Sequence, residues 1–309
     1  MTLLEFLSTH TYRTVFLGCV IIGLVAGALG VFAYLRKQSM ISDVVSHAAL
    51  PGSLGAFLLA VALFSTDGRD MLWLVLGAMV VGTLAALAAN AIARSTVIAI
   101  DAAMAIVLTT FFGAGMLMLR VITDGDFPGK AGLSDLLFGN ASVLTTGDVW
   151  SSAVIGALAL VVMGAFWRPF AVRTFDPGLA DVIGMPARFV DPLMFGTIAV
   201  ATVMGLKAVG LVLMVALVIT PAAAARQWVR TLHGTVLLAA AFGAMAAGVG
   251  AYLSVALGHL PSGPLIVLIL GAILVISLLG SPRRSVLMRA RARHQARRRL
   301  ARGLLSGGG

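Results

Sequence analysis

A chain of 309 residues that is 60% hydrophobic and 11% charged, with a mean hydropathy of +1.04, cannot supply the polar surface of a soluble domain, in which about a quarter of residues are charged. The net charge of +10 suggests nucleic acid only until it is located: residues 282–309 hold nine arginines and no acids, and removing those nine leaves +1 for the rest. A single cysteine, Cys19, excludes an internal disulfide and a thiolate metal cluster.

Taken in chain order, apolar stretches of roughly 20 residues recur, about the length a helix needs to cross ~30 Å of hydrocarbon. They fall at 14–35, 41–64, 71–93, 97–119, 149–172, 189–204, 208–225, 236–257 and 265–279. The sixth and seventh are short and meet at Gly205 and Lys207, so they also read as one broken element. The expected fold is therefore all-α, a polytopic transmembrane helix bundle of about eight or nine spans. Gly23 and Gly27 have the spacing that lets membrane helices approach closely.

Basic residues fall on alternate connections: Arg36 and Lys37, then Arg94, then Arg168, Arg173 and Arg188, then Arg226 and Arg230. Lys and Arg favour the cytoplasmic side, so the N-terminus is expected outside and the C-terminus inside. The first apolar stretch is long enough to span, which argues against a cleavable leader. The division expected is a membrane domain over 1–281 and a flexible basic cytoplasmic tail over 282–309, the tail drawn to anionic headgroups and not to nucleic acid.

Polar side chains at membrane depth are costly, and the second span opens with the richest set, from Ser39 through Asp43 and His47 to Pro51-Gly52. Asp43 and His47 are four residues apart and share a helix face. A carboxylate beside an imidazole suits Zn²⁺, Mn²⁺ or Fe²⁺, whereas Mg²⁺ and Ca²⁺ prefer all-oxygen sites. The plainer reading is an intrahelical polar pair, because two ligands do not complete a coordination sphere; two copies facing each other would bring four. Pro51-Gly52 is expected to break the helix. Asp101 and Asp191 both open apolar spans, where the helix dipole alone accounts for a carboxylate. No Gly-x-x-x-x-Gly-Lys-Ser/Thr phosphate loop is present, so ATP chemistry would have to come from a partner. Over 173–188, Asp176 suits a helix N-cap, Pro177 the first helical position and Gly184 the stop before Pro186.

Several segments carry a family resemblance. Leu35-Arg36-Lys37-Gln38-Ser39 through Asp43, followed by Ser46-His47-Ala48-Ala49-Leu50-Pro51-Gly52, resembles the hallmark of the ABC-3 permeases, the manganese, zinc and iron importers. Asp101 to Ile106, Leu137-Phe138-Gly139-Asn140, Phe175-Asp176-Pro177-Gly178-Leu179-Ala180 with Gly184 and Pro186, Val209 to Leu213 continuing to Ile219 through Ala223, and Leu260 to Pro264 are similar to further family segments, in register from about Leu35 to Leu279.

The resemblance implies a type II importer-like transmembrane subunit that is not itself an enzyme. It would work as an identical or paired dimer with a cytoplasmic ATPase and an extracytoplasmic metal-binding protein. No cofactor would be covalently bound, ATP would act through the partner, and the cargo would be Mn²⁺, Zn²⁺ or Fe²⁺. By position, Asp43 and His47 would meet the metal, with Asp101 and His259 as lesser candidates. Phe175, Asp176, Pro177, Gly178, Ala180 and Gly184 would couple to the ATPase. Gly258-His259 departs from the acid carried by relatives, and a lone His is more often a solvated loop side chain. The alternatives are a type II permease for a siderophore or cobalamin, whose wider pathway needs no such pair, and an intramembrane enzyme or gradient-driven carrier, for which few buried acids are available.

Overall fold

The computed structural model describes residues 10–36, 40–64, 71–128, 139, 141, 144–257 and 260–281, and the statements below concern these. Lys37, Gln38, Ser39, Leu137, Phe138, Asn140, His259 and the tail 282–309 lie outside them. Twelve helices follow in order among the described residues: α1 His10–Leu35, α2 Met40–Phe64, α3 Met71–Ser95, α4 Ile100–Asp124, α5 Thr146–Ala165, α6 Trp167–Phe175, α7 Pro177–Val182, α8 Ala187–Met204, α9 Leu206–Val209, α10 Leu211–Trp228, α11 Leu232–Ala256 and α12 Ser262–Gly280. No strand occurs among them. Eight are long and apolar enough to cross a membrane, and the apolar part of α10, Leu213–Trp228, is a shorter ninth, so both expected counts have a physical basis.

α1, α2, α8 and α10 form the interior, with α3, α4, α5, α11 and α12 around them. The α1–α11 seam is close because a Cβ on Gly23 would run into the Gly243 carbonyl and one on Gly27 into the Ala239 carbonyl. Outward faces are apolar: Trp150, Val154, Leu158 and Val161 form an exposed stripe on α5, and Leu268, Val275, Ile276 and Leu279 are exposed on α12. Water would penalise such faces, whereas lipid does not.

The expected break near Gly205 occurs. α8 ends at Met204, α9 makes one turn, and Gly210 at φ 86° redirects the chain into α10, a conformation that a side chain would strain. Ser262 Oγ donates to the Ala208 carbonyl at 3.0 Å and accepts from Ala141 N–H at 3.1 Å, so the unwound stretch is satisfied inside protein. Gly139 places its backbone against Val209 and Gly210.

Two expectations are corrected. Pro51-Gly52 does not break α2, which runs unbroken from Met40 to Phe64. Pro51 packs beside Gly115 of α4 and Gly52 against Gly77 of α3, so tertiary contact holds the helix through the missing N–H. The fifth span does not continue to residue 172: α5 ends at Ala165, and α6 starts after Phe166. Pro169 explains this, since its ring would clash with the Ala165 carbonyl in a continuing helix. At its other end α5 opens with a capping box, in which Asp148 N–H donates to Thr145 Oγ1 at 3.2 Å and Thr145 N–H to Asp148 Oδ2 at 2.9 Å.

Candidate functional site

Asp43 lies in the first turn of α2 and His47 one turn on, and the structure brings the two together. His47 Nδ1 is 2.9 Å from the Asp43 carbonyl oxygen, 3.2 Å from Asp43 Oδ1 and 3.3 Å from Ser46 Oγ. A carbonyl oxygen only accepts, so Nδ1 carries the proton and donates, which leaves the lone pair of a neutral ring on Nε2. Metal-ligating histidines are commonly oriented this way, with the second ring nitrogen donating to a carbonyl or carboxylate. The ring meets Phe112 of α4 edge-on, with centroids 4.9 Å apart, so both its position and its tautomer are held. The pair is half-open, the side chains 16% exposed for His47 and 34% for Asp43. Pro51, four residues after His47, removes the donor a regular helix would supply to the His47 carbonyl.

The other candidates do not join this pair. Asp101 is exposed in the first turn of α4, and no group of three or more His, Cys, Asp or Glu side chains able to hold a metal forms among the described residues. His259 lies outside the described residues. One chain therefore offers a two-residue site.

The 173–188 segment folds as its residues suggest. Asp176 Oδ1 accepts from Leu179 N–H at 2.9 Å, Pro177 is the first helical residue, and Gly184 at φ 71° closes α7. Met185 N–H reaches the Ala180 carbonyl at 2.9 Å and Gly184 N–H the Asp181 carbonyl at 3.2 Å, the paired bonds of a Schellman stop. Ala180 is buried, whereas Phe175, Leu179, Val182 and Ile183 are exposed, giving an apolar knob on a rigid turn of helix.

Behind this knob lies an ion cluster that the sequence does not reveal. Asp191, in the second turn of α8, is 4% exposed. Arg173 of α6 grips it with two bonds, Nε to Oδ1 and Nη2 to Oδ2, both 3.1 Å. Arg36 after α1 adds Nη1 to Oδ1 at 3.3 Å, and Arg94 of α3 adds Nη2 to Oδ2 at 3.4 Å. Arg173 Nη1 also donates to Asp181 Oδ1 at 2.7 Å and to the Pro177 carbonyl at 3.3 Å, stapling α7 to the start of α8. The bond to Asp191 pushes the Arg173 guanidinium above its ordinary pKa, with burial pulling the other way, so it stays charged. The only available signal was that Asp191 is an acid among basic connections, and spacing could not pair it with residues up to 155 positions away.

A bundle of membrane helices with an interior break, an exposed apolar knob at one end and an aspartate–histidine pair in one span has the build of a transporter's membrane subunit. Residues 8–281 match the ABC 3 transport family, and the chain belongs to it. It is 37% identical over 289 residues to the zinc transport system membrane protein TroC of Treponema pallidum, covering 92% of this chain and 94% of that one. To the manganese transport system membrane protein MntC of Bacillus subtilis it is 35% identical over 92% of its length, although it spans only 64% of that longer relative. Among solved structures it resembles PsaBC from Streptococcus pneumoniae in complex with Fab, with a TM-score of 0.81 at 29% identity, covering 94% of this chain and all of that one. The chain is thus a multi-pass membrane transport subunit and not an enzyme. Neither a chelated cargo nor a gradient-driven carrier is favoured by these likenesses.

Proposed function

We propose that this protein is the membrane-spanning subunit of an ATP-driven importer that carries manganese or zinc into the cytoplasm, and that His47 and Asp43 contact the ion on its way. The observation that carries this is the His47 ring, held by its Nδ1–H on Asp43 so that Nε2 keeps its lone pair, in a partly open position. Two copies facing each other would supply two imidazoles and two carboxylates, enough for a divalent ion, without the thiolates that would hold it too tightly for passage. Iron would suit the same donors, but the relatives' names point to manganese and zinc. Asp101 stays outside this set as a carboxylate stabilised by the α4 dipole.

The exposed side chains of Phe175, Leu179, Val182 and Ile183 form the face on which a separate ATPase would dock, positioned by Asp176, Pro177, Gly178, Ala180 and Gly184. An extracytoplasmic binding protein would deliver the ion from the opposite side, in a bacterial inner membrane, with the N-terminus outside and the basic tail 282–309 inside. Concentration of Arg36, Arg94, Arg173 and Arg226 near one end supports that orientation.

Uptake of radioactive manganese or zinc by proteoliposomes holding the assembled transporter tests the reading. His47→Ala is expected to cut uptake by more than about tenfold while ATPase subunit association persists. Undiminished uptake by both His47→Ala and Asp43→Ala overturns it. Val182→Asp is expected to do the reverse, weakening retention of the ATPase on co-purification and leaving metal binding intact.

A further inference from the structure

On the flank of the bundle, where α5 stops and α6 begins, lies a cavity of about 550 Å³ lined by Gly164, Ala165, Trp167, Arg168, Pro169 and His233. Its charge is one-sided: it holds the Arg168 guanidinium and no carboxylate, with the His233 ring beside it. Arg168 is exposed and makes no ion pair or hydrogen bond to a described residue, unlike Arg36, Arg94 and Arg173, which all converge on Asp191. Its back wall is rigid. The Trp167 ring stacks on His233, with centroids 4.3 Å apart, and meets Phe32 of α1 edge-on at 5.9 Å. Gly164 leaves the side open, since a Cβ there would meet nothing within 4 Å.

Apolar surface leads away from this cationic mouth. Val161, Leu158 and Val154 continue along the outer face of α5, and Leu237 stands exposed on α11 one turn from His233. Unpaired positive charge at the end of an outward apolar track, with a tryptophan at the junction, has the polarity of a phospholipid: headgroup at one end, acyl chains along the other. The α5 helix ends before Phe166, so Arg168 is carried by a separate nine-residue helix and not by the apolar span.

We propose that this cavity binds the headgroup of an anionic phospholipid, with its phosphate held by Arg168 and His233 and its acyl chains lying along α5 and α11. The same nine-residue helix carries Arg173, so a bound lipid would brace α6 between the membrane surface and the Asp191 cluster. Binding is read without any transport, so its failure would leave the metal assignment standing.

The test uses the full-length purified protein in nanodiscs that mix phosphatidylcholine with phosphatidylglycerol, scoring lipid retained on transfer to detergent by native mass spectrometry. Retention of phosphatidylglycerol over phosphatidylcholine is expected. Arg168→Gln should weaken it about fivefold, the size of one basic side chain at a lipid surface, while Arg168→Lys should retain most of it. Arg188→Gln, which removes another exposed arginine, should change nothing, and the basic tail contributes equally to every variant. Equal retention of the two lipids, equal loss in the Arg168→Gln and Arg188→Gln variants, or displacement of the lipid by millimolar inorganic phosphate would each overturn the proposal.

Discussion

Asp43 and Asp191 sit at the same end of the bundle, each near the start of an apolar helix, yet their surroundings oppose each other. Asp191 is buried, and every lone pair of its carboxylate faces one of three guanidiniums. Asp43 has one imidazole beside it and a third of its side chain open. A carboxylate saturated by permanent cations has no room for a metal ion, and its removal leaves three positive charges with little to offset them. A carboxylate with a single imidazole partner and an open side can still gain from a passing cation. Neighbours, and not residue type, separate a clamp from a carboxylate left open to an ion.

The sharpest way to break this comparison is Asp191→Ala. It should cost about 3–5 kcal/mol by leaving Arg36 buried without its carboxylate and Arg173 with only Asp181, seen as loss of expression or of thermal stability in detergent. A stable, normally expressed variant would mean that the cluster is ornamental. Asp43→Ala should cost stability only about 0.5–1 kcal/mol, through the helix dipole and the pair with His47, while uptake falls as it does for His47→Ala. Comparable destabilisation at both aspartates would erase the distinction. The smallest effect is expected from Asp101→Asn, within about 0.5 kcal/mol in unfolding and unchanged in tracer uptake, since the side chain is exposed and only the α4 dipole favours it. A large loss of uptake there would add a third ligand to the pathway.

Much of the pair and of the knob was legible because both are local. Asp43 and His47 meet through the i, i+4 geometry of a single helix, and α7 is bounded by an N-cap, a first-turn proline and a left-handed glycine within nine residues. Pro51 misled because its consequence depends on α3 and α4, which pack so closely that the helix persists. Phe166 misled because apolar Phe170, Ala171 and Val172 follow Arg168, so the span was carried past the break, while the steric effect of Pro169 acts four residues earlier, on the Ala165 carbonyl. Family membership corroborates the membrane fold and the transport class.

By itself the sequence determined that this protein lives in lipid, that it crosses about eight or nine times, and which acid and imidazole share a turn, because hydropathy and helical spacing are properties of neighbouring residues. Only the tertiary structure decided which charges cancel. Arg36, Arg94, Arg173 and Asp191 come from four separate helices or their ends, and ion pairing depends on distance in space, which local spacing does not encode.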